Sequence, residues 1–454
     1  MIVLEIPWTA PLDAAAALAG QPRLALLDSA MPHDTLGRWS YVAAAPFGVF
    51  RVEDSEATWN GEPMAGAPME ALRSLLSRHA HAPIAGAPPF TGGAIGAIAY
   101  EAGQIFEPRP GLAGAHRAAQ IDLPFYDRLF AFDVIDRRAF AIAPDAAAAH
   151  RLCEALTRPS EPRRPPAGLD WRDSRSRAAY EAEVARVIGY IRDGDIFQAN
   201  LSHRFSATPA GGADPLATYL AVRRANPAPF SALLVEGVRF IASTSPERFL
   251  RLARDPRGAV VEARPIKGTR RRSMRPAEDA VLARSLAQSE KDRAENIMIV
   301  DLLRNDLSRV CLPGSVDVPV VCGVETYASV HHLTSVVTGI LRPGRDIADL
   351  IAATFPGGSI TGAPKIRAME IIAELEQEAR GVYCGAIGWI GFDGAADLNI
   401  AIRTLTFDGT ELSVRAGGGI TLLSDPAAEY DETLAKAERL LGAFREAAGE
   451  EAAA

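Results

Sequence analysis

The sequence contains few cysteines, and their positions follow no recognisable pattern. Cys153, Cys311, Cys322 and Cys384 lie in unrelated contexts, with no C-x-x-C spacing among them. Disulfide frameworks and structural zinc sites both need regularly spaced cysteines, so neither is expected. This usage is typical of a protein kept in a reducing compartment, and we expect a cytoplasmic location.

Long apolar runs are also missing, although hydrophobic residues make up 48% of the 454 residues. No run approaches the ~18 residues that span a bilayer. The start of the sequence, MIVLEIPWTAP, lacks the basic and apolar regions of a signal peptide, so we expect no secretory leader. An excess of basic residues is absent as well. The formal net charge of −8 argues against nucleic acid or an anionic membrane as the main partner.

The apolar content is sufficient for a large core, and one break divides the chain. Residues 158–173 (RPSEPRRPPAGLDWRD) contain too much proline for a helix or a central strand. We therefore predict an N-terminal region over residues 1–150, a linker over 151–174 and a larger functional region over 175–445. Strand and helix patterns mix without a βαβ rhythm, which favours an α+β fold with antiparallel sheets.

Local patterns predict several elements of the functional region. Apolar residues over 180–191 recur at helical spacing, and DIFQANLSHRF alternates as a strand, with Gln198 on its polar face. SALLVEGVRFIAS predicts a hairpin that turns at Glu236-Gly237. Residues 276–310 have a charged helical pattern.

Four carboxylates occur in two pairs, each with a spacing of three residues. EKDRAEN contains Asp292 and Glu295, and AAEYDETLAKA contains Glu429 and Glu432. On a helix each pair shares one face, and carboxylate oxygens are preferred ligands of hard cations such as Mg²⁺. The pattern permits a magnesium site between two helices, although charged residues at this spacing more often only solvate a helix.

Other segments provide candidate anion-binding groups. FPGGSITGAPK and VRAGGGI offer glycine amides, yet neither is a nucleotide-binding motif, and a simple tight turn explains each equally well. Arg403 lies in an apolar strand pattern, where it is expected either in an ion pair or on a bound anion. Tyr383 either belongs to the core or donates its hydroxyl to the same site. Of His331 and His332, neighbours on a strand, only one can face a site.

Lys267, in EARPIKGTRRR, has two interpretations: a solvated cation on a basic turn or a placed nucleophile. Most lysines are solvated and unreactive, so composition favours the first. A nucleophilic lysine must be neutral. Closure over a substrate would remove water from the amine, and both this desolvation and nearby cations lower a lysine pKa. The cations expected to do so are Arg264, Arg270, Arg271 and Arg272.

Together these segments resemble those of the chorismate-utilising enzymes, a family that includes anthranilate synthase and isochorismate synthase. The motifs, in family order from about residue 180 to 440, are STSPERF, PIKGTRRR, SEKDRAENIMIVDLLRNDLSRV, HHLTSVVTG, TFPGGSITGAPKIRAMEII, RGVYCGAIGW, IAIRTL and AGGGI…SDPAAEYDETLAKA. The N-terminal 150 residues match more loosely, through LLDSA and GRWSYVAAAP. The resemblance implies the fold of anthranilate synthase component I, with antiparallel β-sheets packed together and helices outside.

The resemblance also implies chorismate as substrate, Mg²⁺ as cofactor and roles for individual residues. Lys267 would attack the chorismate ring, Glu247 would exchange protons with the departing hydroxyl, and His332 would lie beside the ring. The carboxylates expected to hold Mg²⁺, directly or through water, are Glu295, Glu432, Asp292 and Glu429. The groups expected to bind the substrate are Tyr383, Arg403, Gly418, Gly419, Lys436, Gln198, Thr361 and Gly362.

Two positions distinguish the reactions of family members. Members that add water have a lysine base where this chain has Gln198, a neutral amide that cannot deprotonate water, so amination by ammonia is expected. Lys267 stands where anthranilate synthases typically have alanine. It favours formation of 4-amino-4-deoxychorismate, on the route to p-aminobenzoate and folate. The alternatives are anthranilate synthase component I and a non-catalytic sensor of chorismate or an aromatic amino acid.

The source of ammonia is expected to be a second protein. A glutaminase of the usual class needs a cysteine in a G-x-C-x-G turn, and none of the four cysteines has that setting. We therefore expect a separate glutamine amidotransferase subunit as partner. The segment LLDSA resembles one around which tryptophan binds in relatives, so a regulatory pocket in the N-terminal region is also conceivable.

Overall fold

A computed structural model describes residues 1–33, 36–108, 119–157, 163–327 and 330–445, which form 24 strands and 11 α-helices. The strands are β1 (Ile2–Ile6), β2 (Ala25–Asp28), β3 (Trp39–Ala43), β4 (Gly48–Glu53), β5 (Glu56–Trp59), β6 (Glu62–Pro63), β7 (Gly93–Ile98), β8 (Ile121–Tyr126), β9 (Leu129–Asp133), β10 (Arg138–Ala143), β11 (Arg172–Asp173), β12 (Gln198–Ala207), β13 (Phe230–Glu236), β14 (Arg239–Ser245), β15 (Arg248–Asp255), β16 (Gly258–Ala263), β17 (Ile266–Arg271), β18 (Asp317–Thr326), β19 (Val330–Ile340), β20 (Gly362–Ala363), β21 (Ala386–Gly391), β22 (Ala396–Ile400), β23 (Thr404–Phe407) and β24 (Leu412–Ile420). The α-helices are α1 (Pro11–Leu18), α2 (Pro68–Arg78), α3 (Gly103–Phe106), α4 (Ala146–Ala155), α5 (Arg177–Arg192), α6 (Pro215–Ala225), α7 (Pro276–Ala287), α8 (Glu290–Ser308), α9 (Ile347–Thr354), α10 (Lys365–Glu376) and α11 (Pro426–Leu441).

The strands form two antiparallel sheets of twelve strands each. The first has the order β1-β10-β9-β3-β2-β13-β14-β23-β24-β12-β11, with β20 also paired to β12. The second has the order β17-β19-β16-β15-β22-β21-β7-β8-β4-β5-β6, with β18 also paired to β19. Each sheet therefore combines strands from the N-terminal region with strands from the C-terminal region.

The two sheets pack face to face over a largely aromatic core. Tyr41 and Phe140 of the first sheet meet Ile95 and Trp389 of the second, and the Tyr41 and Trp389 ring centroids are 6.2 Å apart. Helices α1, α4, α6 and α11 cover the outer face of the first sheet, and α2, α8 and α9 cover that of the second. This arrangement confirms the predicted α+β fold with packed antiparallel sheets and helices outside.

The local predictions hold with changes at their ends. Helix α5 covers the pattern at 180–191, β12 begins at Gln198, and the predicted hairpin is β13–β14. The pattern at 276–310 forms two helices, α7 and α8, because Ser289 caps a new helix start with its hydroxyl. Helix α4 and strand β11 reach into the predicted linker, of which residues 158–162 lie outside the described residues. The division into regions stays a prediction.

Helix capping explains how the carboxylate pairs are placed. The Ser289 hydroxyl accepts from the backbone N–H of Asp292 at the start of α8, and the Asp425 carboxylate accepts from the backbone N–H of Ala428 at the start of α11. Acidic residues in a first turn are stabilised by the helix dipole. Helix α8 packs against β19 of the second sheet, and α11 packs against β24 of the first. The Lys291 ammonium near the start of α8 is 4.0 Å from Glu429 near the start of α11, so the two helix starts lie side by side.

Each helix in the described ranges is too short or too polar to cross a lipid bilayer.

Candidate active site

Lys267 lies on β17 in the cleft between the two sheets. Its Nζ donates to the carbonyl oxygen of Ser359 (3.2 Å), in the turn that leads to β20. By surface area the residue is half-buried, because the cleft is open, yet protein atoms surround the amine on most sides. Burial lowers the pKa of Lys267, the Lys436 charge lowers it further, and the carboxylates of Glu295 and Glu247 oppose the shift.

Of the two expected causes of this pKa shift, the charge of the neighbouring arginines is not among those that act, and loss of water around the amine is the main one. Three of the four neighbouring arginines are neutralised by carboxylates: Arg264 by Glu325, Arg270 by Asp292 and Arg272 by Asp279. A paired guanidinium projects little net charge. Burial is therefore the main reason that the Lys267 amine loses its proton more readily.

Glu247 faces the same space from the connection between β14 and β15. The residue is 5% exposed, and its Oε1 accepts weakly from the backbone N–H of Ile266, at 3.5 Å. Burial raises the pKa of Glu247 to about 7, although the hydroxyl of Ser359 and the charge of Lys267 oppose the shift. A carboxyl group with this pKa can both donate and accept a proton near neutral pH.

The two carboxylate pairs meet across the starts of α8 and α11. Burial raises the pKa of Glu295 and of Glu429. The charges of Asp292 and Glu429 raise the pKa of Glu295 further, and the charge of Glu432 raises that of Glu429. The Oε1 of Glu295 is buried without a hydrogen-bond partner. The ammonium of Lys291 is 4.0 Å from Glu295 and 4.0 Å from Glu429, so it lies between them.

The other member of each pair already has a cationic partner. Arg270 Nη2 donates to Asp292 Oδ2 (3.1 Å), and Lys436 Nζ is 2.7 Å from Glu432 Oε1. Burial alone would raise the pKa of Glu432, but the Lys436 ammonium outweighs it and the pKa is lowered. In the described ranges, no three His, Cys, Asp or Glu residues converge as a ready metal site. The donor chemistry still fits a hard cation, because buried carboxylates with raised pKa values and an unpartnered oxygen favour a positive charge between them.

Arg403 presents a further cation at the cleft, beside helix α11. Its Nη1 donates to the backbone carbonyl of Lys436 (3.3 Å), and none of the described carboxylates lies within 4.0 Å of its guanidinium. Burial, together with the charge of Arg439, lowers the pKa of Arg403 to about 10, while Tyr383 opposes the shift. Of the two interpretations from the sequence, the anion-binding one is therefore favoured over an internal ion pair.

Glycines bring backbone close to these side chains. A Cβ on Gly418 would lie 3.0 Å from Glu429 Oε2 and 3.5 Å from Lys436 Nζ. A Cβ on Gly419 would lie 2.2 Å from Gln198 Nε2 and 3.5 Å from Lys267 Nζ. Any larger residue at these positions would fill the cleft, which explains the glycines.

Gln198 begins β12 and is fully buried. Neither its Nε2 nor its Oε1 has a hydrogen-bond partner among the described residues. Gly362 has φ +151°, and a Cβ there would lie 2.0 Å from the Gln198 carbonyl oxygen, so only glycine fits. The neighbouring Thr361 accepts from the backbone N–H of Asn200 through its carbonyl. An unpartnered buried amide is costly unless a ligand satisfies it.

The two histidines point in opposite directions, as predicted. His332 Nδ1 contacts the Thr269 hydroxyl (2.8 Å) at the cleft, and burial, with the charge of Arg403, lowers its pKa to about 4. His332 is therefore neutral at neutral pH. His331 instead contacts Asp279 through Nε2 (3.0 Å) on the other face of β19.

Sequence reasoning missed Arg380, which holds several of these segments in place. Its guanidinium binds both oxygens of Glu376 and donates to the carbonyls of Ile360 (3.1 Å) and Asn200 (2.5 Å). The ring of Tyr383 lies 5.9 Å from it. The only sequence signal was the spacing of four between Glu376 and Arg380, which surface ion pairs share.

Removing the partner of Arg380 should destabilise the fold strongly. Glu376 and Arg380 side chains are each 1% exposed. Glu376→Gln removes the negative charge that balances the buried Arg380 guanidinium, so we expect a loss of about 3–5 kcal/mol in the free energy of unfolding. Urea denaturation followed by circular dichroism measures it. Glu374→Gln, which removes an exposed partner of Arg186, should cost less than about 1 kcal/mol, and equal losses in both would contradict the argument.

The cleft thus combines four chemical capacities. A lysine with a lowered pKa can act as a nucleophile, and a carboxyl group with a pKa near 7 can transfer protons next to it. An arginine without a carboxylate partner, together with the close-lying glycine backbone of β24, can bind an organic anion, and buried carboxylates can bind a hard cation.

Comparison with known proteins gives one consistent family. The family model described as chorismate binding enzyme matches residues 25–442. The chain is 40% identical over 455 residues to aminodeoxychorismate synthase component 1 of Klebsiella aerogenes, covering 97% of this chain and 98% of the relative. It is 41% identical over 462 residues to anthranilate synthase component 1 of Streptomyces coelicolor, covering 96% and 87%. The crystal structure of anthranilate synthase component I from Streptococcus pneumoniae superimposes with a TM-score of 0.79 at 31% identity, covering 90% and 93%.

Proposed function

The chain belongs to the family of chorismate-binding enzymes, and from that premise we propose that it aminates chorismate at C4 with ammonia. The product would be 4-amino-4-deoxychorismate, a precursor of p-aminobenzoate and folate. The relatives named aminodeoxychorismate synthase component 1 support this reaction. The observation that carries it is Lys267, an amine with a lowered pKa inside the cleft. Membership of a family of enzymes also argues against the hypothesis of a non-catalytic sensor considered above.

Lys267 acts as the nucleophile in this proposal. Its neutral Nζ forms a bond to C2 of the ring, the ring double bonds shift, and the C4–oxygen bond breaks. Ammonia then attacks C4, the double bonds shift back, and the bond between C2 and Nζ breaks. One hydroxyl leaves as water and one amino group remains, so atoms balance without an oxidant or reductant. A group that both attacks and leaves suits substitution at two ring positions.

Glu247 transfers the protons of both steps. In its acid form it protonates the departing C4 hydroxyl, and as a carboxylate it then takes a proton from the attached ammonia. Both forms are accessible because burial places its pKa at about 7. Neutral His332 lies beside the leaving group and can donate or accept one hydrogen bond there, since its low pKa prevents a competing positive charge.

Mg²⁺ is the proposed cofactor, and it would neutralise the ring carboxylate of chorismate when bound. Glu295 and Glu432 would hold it, with Asp292 and Glu429 directly or through water. The Glu295 Oε1, which lacks a hydrogen-bond partner, and the raised pKa of Glu429 support this donor set. Asp292 is the weakest member, because Arg270 already occupies one of its oxygens.

The remaining cleft residues would bind the side-chain carboxylate and the ring. Arg403 and Tyr383 interact electrostatically and would bind the carboxylate together. The Lys436 ammonium, beside Gly417 and Gly418, would contribute a further cation. The unpartnered amide of Gln198 would hydrogen-bond to the substrate. The other proposed contacts come from the backbone and side chains of Thr361, Gly362, Gly418 and Gly419.

Anthranilate synthesis is the second candidate function. The anthranilate synthase relative is as similar to this chain as the aminodeoxychorismate synthase relatives are, so similarity alone does not separate the two. Ammonia would then attack C2 directly, and Lys267 would need no covalent role. The reaction product distinguishes the two, because anthranilate synthesis also releases the side chain of chorismate.

We expect ammonium salts to support turnover by the isolated chain. Incubation with chorismate, Mg²⁺ and ammonium should give 4-amino-4-deoxychorismate, identified by mass and chromatography, at a rate that rises with free NH₃. Glutamine should support turnover only after a separate glutamine amidotransferase subunit is added. Anthranilate as the product would favour the second candidate, and glutamine-driven turnover by the pure chain would contradict the need for a partner.

The formation of the lysine adduct should lose rate on the alkaline side of neutrality. Glu247 must be protonated when the C4 hydroxyl leaves, and its raised pKa keeps it protonated up to about 7. Without ammonia, the rate of chorismate dehydration onto the protein should therefore fall above about pH 7. Glu247→Gln should reduce the rate by roughly 10²–10⁴-fold and remove this limb. If Glu247→Gln still lost rate above about pH 7, the titration would belong to another group.

A further inference from the structure

Three arginines without carboxylate partners run from the surface into the cleft. They are Arg271, which is exposed, Arg439, which is half-buried, and Arg403 at the inner end. Among the described residues, neither Arg271 nor Arg439 has a side-chain hydrogen bond or an ion pair, and Arg403 donates only to a backbone carbonyl. Unneutralised cations in series are unusual in a chain with a net charge of −8.

Helix α11 connects Arg403 to Arg439. Arg403 donates to the carbonyl of Lys436, and the Lys436 ammonium donates to the carbonyl of Gly417 on β24 (2.8 Å). Arg439 follows Lys436 by three residues and therefore shares its helix face, toward the cleft. The charge of Arg439 also lowers the pKa of Arg403, as expected for close cations.

Arg271 lies on strand β17, which also borders the cleft. Thr269 contacts His332 at the cleft, and residues two apart on a strand share a face, so Arg271 points to the cleft as well. The charge of Arg271 lowers the pKa of Arg439, in addition to burial. The three guanidinium groups therefore lie in sequence: Arg271, Arg439, Arg403.

We propose that Arg271 and Arg439 form an approach path that draws a dicarboxylate substrate inward to Arg403. The proposal rests on the proposed function, because chorismate carries two carboxylates. A dianion is repelled on average by a chain of net charge −8, and a local series of cations overcomes that repulsion. Neither arginine needs to contact the bound substrate, so both act on association more than on the chemical step.

The test is the ionic-strength dependence of the apparent kcat/KM for chorismate, with Mg²⁺ and one fixed, low ammonium concentration that is counted in the ionic strength. Arg271→Gln and Arg439→Gln should each lower kcat/KM about 3- to 10-fold at low ionic strength, with a smaller change in kcat. At about 0.5 M salt, where the screening length falls below about 5 Å, both should approach the wild type. Arg439→Lys keeps the charge and should restore most of the rate.

Arg78→Gln is the matched control. Arg78 ends α2 on the outer side of the second sheet and is exposed, so its loss changes the net charge equally without touching the cleft. It should match the wild type at every salt concentration. The proposed path would be overturned if the kcat/KM of Arg271→Gln and Arg439→Gln equalled that of Arg78→Gln. It would also be overturned if their loss of kcat/KM persisted in high salt, or if Arg439→Lys did not restore kcat/KM. Absence of chorismate turnover by the wild type would instead refute the proposed function, and this proposal with it.

Discussion

Lys267→Ala should lose amination by a factor on the order of 10³, about 4 kcal/mol of transition-state stabilisation, because the variant lacks the nucleophile. With chorismate and Mg²⁺ but no ammonia, the wild type should form an adduct with the mass of chorismate minus water. Peptide mapping should locate it on Lys267. Addition of ammonium should release the adduct as 4-amino-4-deoxychorismate, which shows that it lies on the reaction path.

Lys291→Ala is the control for this experiment. Lys291 is also a lysine at the cleft, but its side chain is 49% exposed. The variant should still form the adduct on Lys267. If Lys267→Ala aminates chorismate at the wild-type rate and no adduct appears, Lys267 is only a cation in the cleft. Direct attack by ammonia would then be the better mechanism.

Glu295→Gln and Glu432→Gln should each reduce turnover below about a tenth of the wild-type rate, because a neutral amide is a poor ligand for Mg²⁺. Their folding should be preserved. Glu295 is a buried carboxylate whose pKa is already raised, so a neutral side chain there relieves repulsion in the metal-free protein. Thermal unfolding measures both effects: Mg²⁺ should raise the Tm of the wild type and leave that of the variants unchanged.

Asp292→Asn is the matched comparison. Arg270 holds Asp292 at 3.1 Å, so this carboxylate is the least available to a metal. We expect a smaller loss, less than about tenfold, with a Mg²⁺-dependent rise in Tm retained. A loss in Asp292→Asn equal to that in Glu295→Gln would mean that Arg270 releases Asp292 to the metal. If Mg²⁺ changed the Tm equally in all variants and in the wild type, these carboxylates would not form the metal site.

The fold and the positions of its main elements could be predicted from local pattern and resemblance. The alternation after Gln198 is that of β12, and the carboxylate pairs are on helices, as their spacing indicated. These features depend on residues that are close together in sequence, and the spacing of apolar and polar residues along the chain reveals them. The opposite orientation of His331 and His332 followed from strand geometry alone.

Contacts between distant segments could not be read in the same way. The pKa of Lys267 was expected to be lowered by adjacent arginines as well as by loss of water around the amine. Glu325, Asp292 and Asp279 neutralise three of those arginines, and burial is the main cause. Burial is a property of the assembled cleft, to which Ser359 and the glycines of β24 contribute. Neither periodicity nor composition indicates which carboxylate reaches which arginine.

The mixed composition of the sheets has a consequence for synthesis on the ribosome. Strand β2 lies between β3 and β13, and β7 lies between β8 and β21. Each of these two N-terminal strands therefore pairs fully only after a neighbour is translated, roughly 200 to 300 residues later. At about 5–20 residues per second, that delay is roughly 10–60 s. During it, the nascent chain exposes two unpaired strand edges, which are sites for aggregation. Chaperone binding to nascent chains should therefore peak before β13 emerges and decline once β21 has been translated.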